Sequence, residues 1–129
     1  MHSYPVTVHY EDTDLGGIVY HANYLKFIER ARSAWVRSLG IDQVAMRREG
    51  VVFVVHHIEA WFQAPATLDD ALTVTTSVAS SSPARLVLEQ VVDRDGLPLF
   101  RALVTLVSMS TEGRPRRLPP ELRALSGNT

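Results

Sequence analysis

The chain has 129 residues, of which 46% are hydrophobic and 21% charged, and its formal net charge is −1. This composition suits one domain with its own core, and it indicates neither disorder nor a nucleic-acid or anionic-membrane partner. The absence of cysteine excludes disulfides, thiolate catalysis and cysteine-rich zinc sites. The chain does not open on a signal-peptide pattern, and no apolar run reaches the roughly 20 residues of a membrane span. We therefore expect a single domain over residues 1–129 in a reducing cytoplasm.

The first third of the chain predicts a strand, a charged loop and a long helix. Alternation from Pro5 to Glu11 predicts a strand with Val6, Val8 and Tyr10 on one face. A helix is predicted from about Ala22, and its apolar residues recur at helical spacing: Tyr24, Phe27, Ile28, Ala31, Trp35 and Leu39. The charged residues between them are expected on a solvated face: Lys26, Glu29, Arg30, Arg32 and Arg37. Gly40 suits the left-handed end of this helix.

The rest of the chain predicts a short helix and four strands in series. The helix runs from Asp42, its N-cap, to Glu49. The strands cover residues 51–64, 72–78, 86–93 and 99–109, with a tight hairpin at Asp95-Gly96, and one helical turn is expected near the end. Hairpin-connected strands crossed by one long helix make an α+β domain with a mainly antiparallel sheet. A second copy would protect one open edge of that sheet.

The loop before the long helix, YEDTDLGGIVYHANY from Tyr10 to Tyr24, concentrates the groups that can carry chemistry. A helix start presents unpaired N–H groups and a partial positive charge, which can polarise a carbonyl or hold an oxyanion. His21 stands at that start, and Gly16 and Gly17 permit close backbone approach. The carboxylate of Asp14 can attack the same carbonyl or take a proton from an attacking water.

Each of these residues also has a purely structural explanation. Asp12 and Asp14 suit Asx turns or caps, the glycine pair suits a turn, and His21 and Asn23 suit helix caps. Asp69 and Asp70 are interpreted as turn formers. No metal site is expected, because adjacent His56 and His57 on a strand point to opposite faces.

The segment YEDTDLGGIVYHANYLKFIERAR resembles the signature of hotdog-fold acyl-CoA thioesterases of the 4-hydroxybenzoyl-CoA thioesterase type, and it is most similar to their YbgC branch, which is associated with the tol–pal system. The segments FVVHHIEAWFQAPATLDDAL and RRLPPELRAL support the likeness, which covers nearly the whole chain. The resemblance implies a hotdog fold, a curved antiparallel sheet of about five strands wrapped around one long helix. It also implies dimers with a continuous sheet, often paired into tetramers, with active sites at the dimer interface and no cofactor.

The resemblance assigns roles residue by residue. Its catalytic residues are Asp14, as nucleophile or general base, His21, whose backbone N–H polarises the thioester and whose side chain assists, and Tyr10, which lines the pocket. Its substrate-binding residues are Gly16, Gly17, Val19, Tyr24 and Phe53, with Phe62 as a further pocket candidate. His56, His57 and Thr67 stand where the family commonly has basic residues, so Arg85, Arg114 and Arg116 are the candidates for holding the CoA phosphates.

The predicted function is hydrolysis of an acyl-CoA thioester to a free acid and CoA. The alternative is a non-catalytic hotdog module that binds or scaffolds envelope or lipid-synthesis partners. A dehydratase would need a histidine facing a helix carboxylate, and the sequence offers no such pair. The expected partners are the acyl-CoA substrate and further copies of the chain, as a homodimer or a dimer of dimers.

Overall fold

A computed structural model describes residues 1–125 of the chain. Within them the strands are β1 (His2–Thr7), β2 (Val51–Phe62), β3 (Ala71–Ser81), β4 (Arg85–Arg94), β5 (Leu97–Ser110) and β6 (Pro115–Arg116). The helices are α1 (Asn23–Ser38), α2 (Gln43–Arg48) and α3 (Pro120–Arg123), and a 3₁₀ turn covers Tyr10–Asp12. The strands pair antiparallel in the order β1-β3-β4-β5-β2, with β6 on β5. The α+β hotdog prediction is confirmed, and β6 is a strand that the sequence did not predict.

Helix α1 lies across the inner face of the sheet, against β1, β3 and β4. Its predicted apolar stripe is buried at five positions: Tyr24, Phe27, Ile28, Ala31 and Trp35. Val36, which was not predicted, is buried beside them. Leu39, predicted as the end of that stripe, is the C-cap residue and is half-buried. Buried residues alternate along β3 and β4, so one face of each strand packs on the helix. Burying a side chain such as Phe27 or Ile28 contributes about 1.5–3 kcal/mol, and this packing fixes where the N-terminus of α1 stands.

A polar contact also ties α1 to the sheet beneath it. The fully buried Gln90 of β4 donates through Nε2 to the Ile28 carbonyl at 2.9 Å and to Thr76 Oγ1 at 3.0 Å. Its Oε1 accepts from the Arg32 guanidinium at 2.9 Å. The prediction that Arg32 is solvated is therefore wrong, because the side chain reaches under the helix to the amide. Burial lowers the pKa of Arg32, while the charge of Glu29 opposes that shift.

The first strand is shorter than predicted. β1 ends at Thr7, although Val6 and Val8 are buried as expected. The chain then turns, because the His9 N–H donates to the Asp12 carboxylate at 2.8 Å and closes a one-turn 3₁₀ helix. Tyr10 lies in that turn and is 82% exposed, so its predicted place on one strand face with Val6 and Val8 is wrong.

Three local predictions are confirmed. The carboxylate of Asp42 caps α2 by accepting from the N–H groups of Val44 and Ala45 at 2.9 and 3.1 Å. Gly40 ends α1 with a φ of 82°. Asp95 and Gly96 have φ angles of 52° and 84°, which is the backbone of a tight type I′ hairpin.

The two outer strands of the sheet differ. β1 has six residues and contains Pro5, whereas β2 has twelve and pairs with β5 alone. The β2 residues that face the helix side are opposite buried β5 residues, yet Val55 and Phe62 are 40% and 54% exposed. Helix α1 reaches β2 only at its start, where Tyr24 meets Phe62, and α2 packs on part of the strand, so this apolar face is only partly covered within residues 1–125. No helix among those residues is long and apolar enough to cross a membrane. The single-domain boundary and the cytoplasmic location stay predictions.

Candidate active site

The loop between β1 and α1 is folded back on itself by backbone hydrogen bonds. Thr13 and Val19 form an isolated antiparallel bridge. The Asp14 N–H donates to the Ile18 carbonyl at 3.1 Å, and the Gly17 N–H donates to the Asp14 carbonyl at 2.9 Å. Asp14 therefore lies on one arm of a tight turn, directly opposite the arm that runs into α1.

The Asp14 carboxylate is exposed and held by one contact. Its Oδ1 accepts from the Gly16 N–H at 2.9 Å, which is an Asx turn. Its second oxygen accepts from no donor among residues 1–125. One carboxylate oxygen of Asp14 therefore forms the predicted Asx turn, and the other oxygen is available to a ligand. A Cβ on Gly16 would stand 3.1 Å from Oδ1, so any larger residue there would require the carboxylate to shift.

The first N–H groups of α1 divide into used and unused donors. Those of Asn23, Tyr24 and Leu25 donate to the carbonyls three residues earlier, at 2.8, 3.3 and 3.2 Å. Those of His21 and Ala22 have no acceptor within residues 1–125, and no side chain caps the helix. Two unsatisfied N–H groups thus stand at the positive end of the α1 dipole, immediately after the loop that carries Asp14.

Asn23 joins the loop to the helix instead of capping it. Its Nδ2 donates to the Asp12 carbonyl at 2.9 Å, and its side chain is buried. The same carbonyl accepts from the Tyr20 N–H at 2.9 Å. The predicted cap role of Asn23 is therefore wrong. Its side-chain amide instead holds the base of the Asp14 loop against the helix start through this hydrogen bond.

A largely apolar cavity of about 340 Å³ lies beside this helix start. Its lining comes from the loop, α1 and the end of β2: Ile18, Val19, His21, Tyr24, Phe62, Gln63, Ala64 and Pro65. Tyr24 stacks on Phe100 at 4.9 Å between ring centroids, and Phe62 packs against both rings. The exposed His21 ring meets Phe62 edge-on at 6.0 Å. Burial raises the pKa of the Tyr24 phenol, with the Ala66 backbone acting in the opposite direction, so this wall stays uncharged at neutral pH.

Some predicted site residues meet at this cavity and others do not. Val19, His21, Tyr24 and Phe62 line it. Gly16 and Gly17 lie in the adjoining loop, while Tyr10 is outside the lining. Phe53 is opposite Ser108, near the other end of β2 from Phe62, and nine residues of strand span about 30 Å. The catalytic and substrate-binding roles of all these residues stay predictions. Within one chain, a site that included Phe53 would be separate from this cavity.

The candidate phosphate ligands also lie far from the cavity. Arg85 and Arg116 are opposite Val107 and Ser108 of β5, whereas the cavity adjoins Phe100. Seven or eight residues of strand correspond to about 25 Å. Three lining residues were not predicted from the sequence, because they belong to no motif and only the fold brings them to the cavity: Gln63, Ala64 and Pro65.

Neither adjacent histidine of β2 belongs to a metal cluster. His56 is the extra residue in a β-bulge between Val55 and His57, so the regular alternation behind the prediction is interrupted there. Both rings are exposed, and His57 contacts Glu59 at 3.3 Å. Residues 1–125 contain no group of three or more histidines and carboxylates placed to hold an ion.

Comparison with known proteins identifies the class to which this arrangement belongs. Residues 8–125 match the family model of the thioesterase-like superfamily. Because the match spans most of the chain, the chain belongs to this superfamily, and it is a thioesterase.

Individual relatives indicate which thioesterases the chain is similar to. The chain is 41% identical over 123 residues to the acyl-CoA thioester hydrolase YbgC of Escherichia coli O6:H1, covering 94% of this chain and 92% of that protein. It is 39% identical to the acyl-CoA thioesterase YbgC of Haemophilus influenzae, covering 95% and 91%. The crystal structure of a "probable thioesterase" from Bartonella henselae superposes with a TM-score of 0.87 at 37% identity, covering 92% of this chain and 98% of that one. The predicted resemblance is confirmed.

Proposed function

We propose that this chain hydrolyses acyl-CoA thioesters at the start of α1, with Asp14 as the catalytic carboxylate. The observation that carries the proposal is the pair of unsatisfied N–H groups, on His21 and Ala22, that follows the Asp14 loop and adjoins an apolar cavity. The substrate class follows from the relatives named as acyl-CoA thioesterases.

Each part of the site has a task in that reaction. The acyl group occupies the apolar cavity, and the thioester oxygen accepts from the His21 and Ala22 N–H groups, which stabilise the negative charge of the tetrahedral intermediate. Preorganised donors of this kind contribute about 10²–10³-fold each to the rate. We assign to the His21 ring, which is exposed beside Phe62, the role of assisting the leaving group.

Asp14 supplies the attack by one of two routes. As a nucleophile, its free oxygen forms a mixed anhydride with the acyl carbon while the C–S bond breaks and CoA thiolate leaves; water then cleaves the anhydride. As a general base, it takes a proton from water while the water oxygen bonds to the acyl carbon and CoA leaves. Both routes release one acid and one CoA.

The proposed enzyme also contains a second copy of the chain. An exposed edge strand with an apolar face invites pairing, and β2 is long and open while β1 is short and contains proline. Pairing β2 with the β2 of another copy would continue the sheet and cover the half-exposed Val55 and Phe62. Since Phe62 lines the cavity, the partner would also close one side of the site. Tyr10, Phe53 and the three arginine candidates are proposed to act across that interface or between such dimers.

The kinetic test compares the parent with Asp14→Asn. Asparagine keeps an oxygen for the Gly16 N–H, so the loop geometry survives while the reactive carboxylate is lost. Free thiol released from a panel of acyl-CoAs of increasing chain length is measured. We expect the parent to turn over and kcat to fall about 10²–10⁴-fold in the variant. Equal rates for the two proteins would contradict the role of Asp14, and no thiol from any thioester would favour the scaffold alternative.

Single-turnover hydrolysis in ¹⁸O-water identifies the nucleophilic route when the label enters the enzyme, whereas label in the acid alone fits general-base catalysis and also attack of water on the acyl carbon of the anhydride. General-base catalysis puts ¹⁸O into the acid formed in the first turnover. Nucleophilic catalysis with water attacking the Asp14 carbonyl puts the label into the enzyme instead, and peptide mass spectrometry locates it on Asp14.

A further inference from the structure

The turn between β2 and β3, residues 65–70, is held by one ion pair. The Asp70 carboxylate accepts from Arg94 Nη1 at 2.7 Å and from the Thr67 N–H at 2.8 Å. Arg94 also donates to the Pro65 carbonyl at 3.4 Å. Both charged side chains are more than half buried, so the last residue of β4 fixes the conformation of this turn from both of its ends.

The same turn is the outer support of the catalytic loop. The Ala66 carbonyl accepts from the Val19 N–H at 2.9 Å, and Ala66 is fully buried. Thr67 forms an isolated bridge with Ile18. The Ile18 carbonyl in turn accepts from the Asp14 N–H at 3.1 Å. An unbroken series of contacts therefore runs from Arg94 through Asp70 and the turn to the arm opposite Asp14.

The turn also forms one wall of the cavity. Ala64 and Pro65 line it next to Phe62. A displacement of the turn would move this wall and the Asp14 arm together. A shift of about 1 Å in a reacting group can cost as much as 10²-fold in rate, so small movements of this support matter to the chemistry.

We propose that Asp70 and Arg94 are positioning residues of the hydrolase, which set Asp14 and the cavity wall relative to the start of α1. The proposal rests on the proposed function, and it assigns an activity role to Asp70, which the sequence explains only as a turn former, and to Arg94, for which the sequence predicted no role. Neither residue touches the reacting atoms.

A second ion pair of the same chain provides a matched control. Arg101 Nε contacts Glu89 Oε2 at 2.7 Å, the same separation as in the Asp70–Arg94 pair. Both residues alternate with buried neighbours on β5 and β4, so the pair lies on the face of the sheet away from α1. Arg101→Gln removes an ion pair of the same length, together with the contact of Arg101 with the Trp61 ring, without touching the turn or the loop.

The test measures kcat and KM for Arg94→Gln, Arg94→Lys and Arg101→Gln on the acyl-CoA that the parent turns over best. We expect Arg94→Gln to lower kcat about tenfold with little change in KM, since it moves the reacting groups more than it removes substrate contacts. Lysine carries one positive nitrogen that can reach both acceptors, so Arg94→Lys should recover most of kcat. Arg101→Gln should keep kcat within about twofold. Equal kcat values for Arg94→Gln and Arg101→Gln would overturn the proposal.

Amide hydrogen exchange provides a readout that does not depend on turnover. In Arg94→Gln the Val19 and Asp14 amides should exchange about tenfold faster or more than in the parent, while in Arg101→Gln they should not change. If neither variant alters these amides, the turn does not position the loop, whatever the activity. If the parent hydrolyses no acyl-CoA while Arg94→Gln loosens these amides, the proposed function fails but the coupling of the turn to the loop stands.

Discussion

The side-chain amide of Asn23 donates to the carbonyl of Asp12 at 2.9 Å, which links the first residue of α1 to the base of the loop that carries Asp14. The bond is shielded from water because Asn23 is only 9% exposed. The carboxylate and the helix start are therefore placed relative to each other by a direct contact as well as by the packing of α1.

Asn23→Asp tests this link. It replaces the N–H donor with a carboxylate oxygen facing a carbonyl, and leaving such a buried group unsatisfied costs about 1–3 kcal/mol. We expect a lower free energy of unfolding in urea and a kcat reduced about tenfold in the remaining folded protein. Gln43→Glu makes the same chemical change at the exposed start of α2 and should affect neither. Unchanged stability and kcat in Asn23→Asp would show that the link does not matter.

Gly16→Ala should impair catalysis more than folding. The added Cβ would stand 3.1 Å from Asp14 Oδ1, and the flexible carboxylate must move to relieve the contact. We expect kcat to fall about tenfold with little change in melting temperature. Gly113→Ala should show the reverse pattern: with a φ of 85°, the alanine is strained by about 1 kcal/mol, but this turn lies far from the loop. A Gly16→Ala variant with the parent's kcat would mean that the carboxylate position is not critical.

Asp70 should make stability depend on pH in a defined direction. The Thr67 N–H lowers the pKa of Asp70 most, desolvation opposes this, and Arg94 lowers it further, so the folded pKa lies below the ordinary 3.8. The stabilisation is fully present above that ordinary value and is lost as the pH falls through the folded pKa. Compared with Asp70→Asn, the parent should be more stable by about 1 kcal/mol at pH 7. This difference should shrink at pH 3 in urea titrations.

Asp69→Asn is the control for that pH dependence. Asp69 is the exposed neighbour of Asp70, with a φ of 69° that asparagine tolerates well. The free energy of unfolding of Asp69→Asn should differ little from that of the parent. This difference should not shrink on acidification, whereas the difference for Asp70→Asn should. A difference for Asp70→Asn that grew at low pH would contradict the direction of the Asp70 shift.

Val55→Lys should disrupt the proposed dimer. Val55 lies on the partly covered apolar face of β2 and is 40% exposed, and a lysine there opposes edge pairing. We expect the mass measured by light scattering after size exclusion to fall from that of at least a dimer to that of a monomer. Leu97→Lys, at a 51% exposed position of the β4–β5 hairpin, should keep the parent's mass. A parent that is monomeric at every concentration would contradict the β2 interface.

Features set by nearby residues could be predicted from the sequence. The Asp42 cap, the Gly40 helix end and the Asp95-Gly96 hairpin all depend on contacts within about four residues. The apolar stripe of α1 was predictable because it repeats with the helical period. Asp14, Gly16 and His21 became candidate site residues because they occur together in one short motif.

Features set by distant residues could not be predicted in the same way. Arg32 is drawn under the helix by Gln90, 58 residues away in the chain, so its spacing alone indicated a solvated face. The hydrogen bond from the Val19 N–H to the Ala66 carbonyl forms only when the fold brings the end of β2 next to the loop. The bulge at His56 adds one residue to β2 without a glycine or proline to mark it.

The most direct test of the catalytic geometry is a crystal structure of the Asp14→Asn variant with a bound acyl-CoA. We expect the thioester oxygen within about 3 Å of the His21 or Ala22 backbone nitrogen, as oxyanion donors require. The substituted amide side chain of the variant should face the acyl carbon, and the acyl group should fill the cavity beside Tyr24 and Phe62. A thioester bound elsewhere, or one whose oxygen points away from both N–H groups, would contradict the account.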